Sequence, residues 1–463
     1  MATENEQPRG PFQFTPVPAS SACTDLTAVP SEKPFIVPPG YEQIVFEREA
    51  EPRFPNSPDM NTVNEQGAGK PGALFGIEGS HVGRFLFRTH EVRENGAVTV
   101  TDMETVDDPG GPVTRTLARR PDWERLDGIR WTPWGTILAA EEVDNPRNAP
   151  VLLDPRSPES LAGLVYEIDP ETGAAQVRPA IGSRSHEGLD FDPQGNLYGI
   201  SEEPAPNGGF IYRFVPDHRG DLASGQLYAL KVASGETGPA TWIPLDRASV
   251  RIDSDATATA AGATPYQRPE DVEIGRNATG TDTMFVAVTG FGPTGVGQRV
   301  LAIDLREPRG TSDHDTAYVT DYVTTGGELS RPDNLDLDPA GNLYITEDQP
   351  PANRVHGNDI WVATPDEGND GTAEAVFRFA TLKECRAEPT GIYFDERNPF
   401  GEGGPTLYVN VMRTAAGNNP PIRHDLAVAI MEDELPGLPM PIAGLLTPDA
   451  FVGDSEPTES ASD

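Results

Sequence analysis

Cysteine is nearly absent: the 463-residue chain has two, Cys23 and Cys385, which excludes a thiolate zinc site and a disulfide scaffold. A single bridge from the N-terminal arm to the last repeat and two free thiols are both open to such a pair. Basic charge is scarce as well. Against 35 Lys and Arg stand 73 Asp and Glu, a net charge of −38, which repels nucleic acid and anionic lipid and so predicts neither as a partner. No run of 18 apolar residues occurs, so no membrane span is expected. The first 30 residues lack a basic start followed by an apolar stretch, and no secretory signal is expected in them. Missing too are a nucleophile-triad pattern, a phosphate-binding glycine loop and a Cys-x-x-Cys pair.

Present in abundance are Pro and Gly, 47 of each, which favour many short elements joined by turns over long helices. Residues 1–40 read as a Pro-rich, extended N-terminal arm, 41–440 as one repeat domain, and 441–463 as a tail whose acidic end lacks aromatics and is expected to be disordered. Length alone suggests two or three domains, but a repeat fold grows as one unit.

The repeat is read by aligning "EGLDFDPQGNLYGISE", "DGIRWTPWGTILAAEE" and "DNLDLDPAGNLYITED" without gaps from Glu187, Asp127 and Asp333. In each, apolar positions such as Leu189 and Phe191 alternate with polar ones, the period of a strand. Asp192-Pro193-Gln194-Gly195-Asn196 and Asp338-Pro339-Ala340-Gly341-Asn342 then combine Asx chemistry, a fixed proline φ and a glycine able to take φ > 0, which is a hairpin turn. A second strand follows and ends in Glu202, Glu142 or Asp348. Because a hairpin returns antiparallel, the first and last acids of each unit meet at one edge. Weaker copies begin at "RPEDVEI", carrying Glu270, and at "EPTGIYF", where Thr390 holds the acid position and Glu388 lies two residues earlier on the same strand face. "GRFLFRTHEVRENGAVTV", Gly83 to Val100, reads as an earlier hairpin.

Counting that hairpin, the units predict an all-β fold, a six-bladed β-propeller with insertions, whose innermost strands converge on one axis. Their acid-bearing ends then form a ring around one mouth of the channel. Carboxylates so crowded raise one another's pKa, and a hard cation removes the conflict, so a multi-carboxylate metal centre is the physical inference. Asp192 and Asp338 have a local turn-capping role instead. His90 and His186, each before a Glu, read as packed side chains rather than ligands, and Trp131 and Trp134 as core.

At "RWTPWGTILAAEE", "SHEGLDFDPQGNLY", "RPEDVEI", "RPDNLDLDPAGNLY" and "EPTGIYF" the sequence resembles the PhoX family of secreted bacterial alkaline phosphatases, from about Leu86 to Val411 and in the family's order. The resemblance implies a six-bladed propeller, an axial cluster of calcium and iron ions, and hydrolysis of phosphomonoesters by a metal-activated oxygen nucleophile. It places metal ligands on Glu142, Glu187, Glu270, Asp333 and Glu388, acids the repeat selects independently. It also implies that Arg268 holds phosphate, with Arg119 where the family has a lysine, and that the chain is periplasmic or extracellular and takes a small phosphate ester as substrate. A monomer is expected. Where the family's phosphatases have a cysteine ligand to iron, this chain has Leu126-Asp127-Gly128, so Asp127 replaces the thiolate and the oxygen-only set favours several calcium ions over Fe3+. Where the family has Gln-His-Pro-Gly after the last strand, this chain reads Met412-Arg413-Thr414-Ala415-Ala416. The alternative reading is a calcium-binding propeller of another activity, either a one-ion lactonase-like hydrolase or a non-enzymatic binding module whose cations only close the ring.

Overall fold

A computed structural model describes residues 10–20, 32–49, 53–65, 70–76, 81–106, 108, 111–143, 159–277, 280–290, 297–305, 316–325, 328–348, 358–384, 387–401, 404–412 and 425–433. Antiparallel strands dominate them and fall into five sheets, of which the nine-stranded one is two blades joined along their outer strands, so the blades number six. The innermost strands are Pro58–Val63, Leu126–Trp131, Leu189–Phe191, Pro269–Arg276, Pro332–Leu337 and Glu388–Asp395, here blades I to VI, and each contacts the next in cyclic order, the sixth closing on the first. The six-bladed expectation holds, with one change of frame: the hairpin at Gly83 to Val100 supplies the second and third strands of blade I (Phe85–His90 and Ala97–Asp102), while the innermost strand lies upstream at Pro58–Val63.

Closure follows from where the chain begins. Strand Tyr41–Arg48 pairs with Leu426–Glu432 and completes blade VI, so the first and last thirds of the sequence share one sheet. Across the same seam the buried Arg88 of blade I reaches Glu47 at 3.5 Å and donates from Nε to Asn410 Oδ1 at 2.9 Å. The arm is bound more tightly than its composition suggests. Phe12 and Phe14 pack among Tyr41, Phe379 and Phe394, and Phe35–Ile36 adds a fifth strand to blade V. Aromatics of that size bury enough apolar surface to offset the ordering of an extended segment. Cys23, Cys385 and the 441–463 tail lie outside the described residues.

The turns form as their residues require. Asp192 Oδ1 accepts from the N–H groups of Gln194 and Asn196 at 3.0 and 2.8 Å, and Asp338 Oδ1 accepts likewise from Ala340 and Asn342. Gly195 and Gly341 adopt φ of 87° and 85°, conformations that only glycine takes at little cost. These turns lie at the ends of the innermost strands remote from the ring acids. The widest gap between units, from Glu187 to Glu270, is filled by the extra strand Gly238–Pro244 and the helix Ser254–Ala261. No described helix is long and apolar enough to cross a membrane.

Candidate metal centre at the propeller mouth

Each blade places one residue at the mouth, from the second or third position of its innermost strand or, in blade III, from two residues before it: Asp59, Asp127, Glu187, Glu270 and Asp333 in blades I to V, and Thr390 in blade VI. The five acids are buried, as is Glu388. The second strand of each blade returns to the same edge. There the backbone N–H of Glu91, Glu142, Glu202 and Asp348 donates to the carbonyl of the residue two before the ring position, respectively Ser57, Arg125, Ser185 and Arg331. The hairpin geometry expected from sequence is thus realised: the first and last acids of a unit meet, here in an inner and an outer ring.

Two sets of three carboxylates could each hold a cation, Asp127 with Glu142 and Glu187, and Glu187 with Glu202 and Glu270, the candidate ligand atoms of each set lying within 4.8 Å of one another. Glu187 belongs to both. Burial raises the carboxyl pKa of Asp127, Glu142, Glu187 and Asp333 well above the usual carboxylate range, and the neighbouring charges raise them further. For Asp127 those neighbours are Asp59, Glu142 and Glu91; for Asp333 they are Glu270 and Glu388. Glu270 is pushed up to about 7 by burial, although the Arg268 guanidinium acts in the opposite direction. Asp127 Oδ1 is buried without a hydrogen-bond partner, an arrangement that costs stability unless something else fills the role. Oxygen-only donors, high negative charge and an orphaned carboxylate oxygen fit hard cations.

All the acids read from sequence as ligands are therefore brought together: Asp127, Glu142, Glu187, Glu270, Asp333 and, at the edge of the ring, Glu388. Asp59 and Glu91 join them without having been expected. Pro58-Asp59-Met60-Asn61 carries the same Pro-acid step as Pro332-Asp333, and this signal marks it; but 21 residues separate the strand from its partner, and no Asp-Pro-x-Gly-Asn turn announces the hairpin. In the "AAEE" and "ITED" steps the earlier acid is structural. Glu141 accepts from the N–H groups of Glu124 and Leu164, and Glu347 from those of Ser330 and Asp359.

The two arginines part ways. Arg268 Nη2 pairs with Glu202 Oε1 at 2.6 Å and Glu270 Oε1 at 3.0 Å, at the heart of the ring. Arg119 sits on the outermost strand of blade I, exposed, with Nε donating to the Asn95 carbonyl at 3.1 Å. His90 and His186 are both buried, and one ring nitrogen, His186 Nδ1, has no hydrogen-bond partner among the described residues. Both ring nitrogens of His90 are engaged, with the Asn56 carbonyl and Thr99 Oγ1, and burial pushes its pKa down to about 3. His186 Nε2 faces the Gly182 carbonyl at 3.1 Å, and burial holds that ring neutral.

Comparison with known proteins agrees with the fold. Residues 130–314 match the family described as Alkaline phosphatase PhoX. Among solved structures, PhoX of Pseudomonas fluorescens in complex with vanadate, a transition state analogue, is 19% identical with a TM-score of 0.63, covering 90% of this chain and 98% of that one. A Dyadobacter fermentans protein of unknown function is 11% identical with a TM-score of 0.45, covering 85% and 99%. No curated protein matches the sequence.

Proposed function

We propose, from the premise that this chain belongs to the PhoX alkaline phosphatase family, that it is a metal-dependent phosphomonoesterase working over the acid ring at the propeller mouth. The observation that carries the reading is the pair of three-carboxylate groups sharing Glu187, buried or half-buried, with Arg268 the cation ion-paired to the second group among the described residues. Asp127 and Glu142 would hold one cation with Glu187, and Glu202 and Glu270 a second, with Asp333, Asp59 and Glu388 beside them. Cations bound there would neutralise the incoming phosphate and lower the pKa of a water for attack on phosphorus. Without them, a mouth of this charge would repel an anionic substrate.

The protein's own groups then have distinct tasks. Glu187, set between the two groups, fixes their spacing. Arg268 is held in the ring by Glu202 and Glu270. Once those carboxylates are engaged in coordination, its guanidinium has donors available for the equatorial phosphate oxygens, where charge grows as the leaving group departs. Asp127 in place of the family's cysteine leaves an all-oxygen donor set, so calcium is the ion expected and iron is disfavoured. A chain of net charge −38 is suited to small phosphate esters rather than nucleic acid, and a periplasmic or extracellular location fits the family.

A calcium-dependent lactonase, the nearest rival in chemistry, needs one ion; two ligand sets joined by a shared carboxylate favour more than one. The deciding experiment measures bound metals by elemental analysis and 4-nitrophenyl phosphate turnover with and without chelator. The expected result is more than one ion per chain, loss of turnover in chelator and its return with calcium. Undiminished turnover after complete removal of metal overturns the reading, and a single ion with lactone but no phosphate cleavage replaces it by the rival.

A further inference from the structure

We propose that Arg331, rather than Arg119, is the second phosphate-holding arginine of the mouth, acting beside Arg268. The inference rests on the phosphatase reading above and assigns a residue within it. Its first support is register. Arg268 and Arg331 each stand two residues before a ring acid, Glu270 and Asp333, immediately ahead of the innermost strands of adjacent blades. Their carbonyls accept the same hairpin hydrogen bond, from Thr289 N at 3.0 Å and from Asp348 N at 3.1 Å. Arg331 is Arg268 displaced by one blade.

A second support is backbone strain. Arg268 and Arg331 have φ of 53° and 49°, in the left-handed region where a side chain costs stability and glycine does not. Such outliers persist where the surrounding structure and the function of the side chain hold them. Ser57 of blade I and Arg125 of blade II share the conformation, with φ 49° and 45°, but Ser57 carries no charge and blade III, carrying Ser185, separates Arg125 from Arg268.

The third support is pairing. Other arginines of the interior have fixed partners: Arg130 pairs with Asp190 at 2.8 Å, Arg378 with Asp359 at 2.6 Å, and Arg184 donates to the Ile181 and Ile200 carbonyls. Among the described residues no hydrogen bond or ion pair engages the half-buried Arg331 guanidinium, although its backbone N–H is held by Gln298 Oε1. Two neighbouring guanidiniums, one without a fixed partner, make a place for a tetrahedral dianion, which takes charge-assisted hydrogen bonds from both.

Titration calorimetry of the calcium-loaded protein with inorganic phosphate, together with phosphate inhibition of 4-nitrophenyl phosphate hydrolysis, tests the assignment on Arg331→Gly and Arg331→Lys. Glycine accepts φ 49° without strain, so Arg331→Gly is expected to melt no lower than the parent and to bind calcium equally, while its phosphate affinity falls about ten- to a hundredfold. Arg331→Lys should recover part of that loss, since it keeps the charge without the fork. Unchanged phosphate affinity in Arg331→Gly overturns the assignment, as does loss of affinity in Arg119→Ala alone. If the parent protein itself neither binds phosphate nor cleaves the ester, the phosphatase reading falls first and takes this inference with it.

Discussion

Two tiers of buried carboxylates line the same axis, one to three residues apart along the innermost strands, and their fates differ. In the lower tier Asp190 Oδ2 accepts from the Ile274 N–H of the next blade at 2.7 Å, Asp271 Oδ2 from Leu335 N–H at 2.8 Å, and Asp336 Oδ2 from Phe394 N–H. Arg130 enters the same tier from blade II, bonded to Asp190 and Glu273. Each of these acids latches one blade to its neighbour and has a partner within the protein. In the upper tier the acids face one another, and the described cation ion-paired among them, Arg268, is shared by Glu202 and Glu270. A buried acid is therefore not by itself the mark of a site. What distinguishes the mouth is carboxylates that have other carboxylates as close neighbours, a crowding that a cation relieves.

The largest effect should come from the upper tier's shared member. Glu187→Gln keeps the shape and removes one charge from both ligand groups. Calcium stoichiometry or affinity should fall sharply, and aryl phosphate turnover by roughly a hundredfold or more, since even indirect partners of metal ligands cost ten- to a hundredfold. Turnover equal to the parent's would erase the distinction between the tiers.

In the lower tier, removing the compensating cation should harm the fold instead. Arg130→Met strands Asp190 and Glu273 as buried carboxylates, an arrangement that typically costs about 3–5 kcal/mol. Chemical denaturation should show a midpoint lowered accordingly, with calcium stoichiometry retained by the folded fraction. A variant that instead lost calcium without losing stability would make Arg130 part of the metal centre and merge the two tiers.

Much of the upper tier is legible in the sequence, because the hairpin converts spacing into position. From the interval between Glu187 and Glu202, or Asp333 and Asp348, one can deduce that both acids share an edge, whatever the blade contributes outside it. Blade I escapes for a related reason: its innermost strand is cut off from the second by a long connection, so Asp59 carries no turn to place it. The lower tier is illegible too. Asp190 and Asp336 look like the ring acids in sequence, and only the N–H groups of the next blade, distant in the chain, show that they are already satisfied. An offset carried over from a family fixes only a place along the chain; that Arg119 falls on the outermost strand of blade I is visible only in the fold. The conformation that marks Arg331, a left-handed backbone, leaves no trace in the order of the residues.

The smallest effect concerns pH, and it separates the tiers by what calcium can change. Burial raises Glu270 to about 7 in the upper tier and Asp336 to about 8 in the lower, above an ordinary carboxylate. An acid whose pKa is higher folded than unfolded binds more protons in the native state, so stability falls as pH rises between the two values. Metal-free protein should accordingly lose thermal stability from about pH 5 to about pH 8, on the order of 2 kcal/mol for each strongly shifted group. Calcium favours the ionised form of the ligands it binds and should cancel the upper tier's share of this decline. The lower tier's share, set by burial beside Arg130 and the next blade's backbone, should persist. Melting curves across that range, in chelator and in calcium, therefore yield two slopes: a shallower but still negative slope with calcium is the expected result. Identical slopes would mean that no calcium-responsive acid titrates at the mouth, and the contrast between the tiers would reduce to one of hydrogen bonding alone.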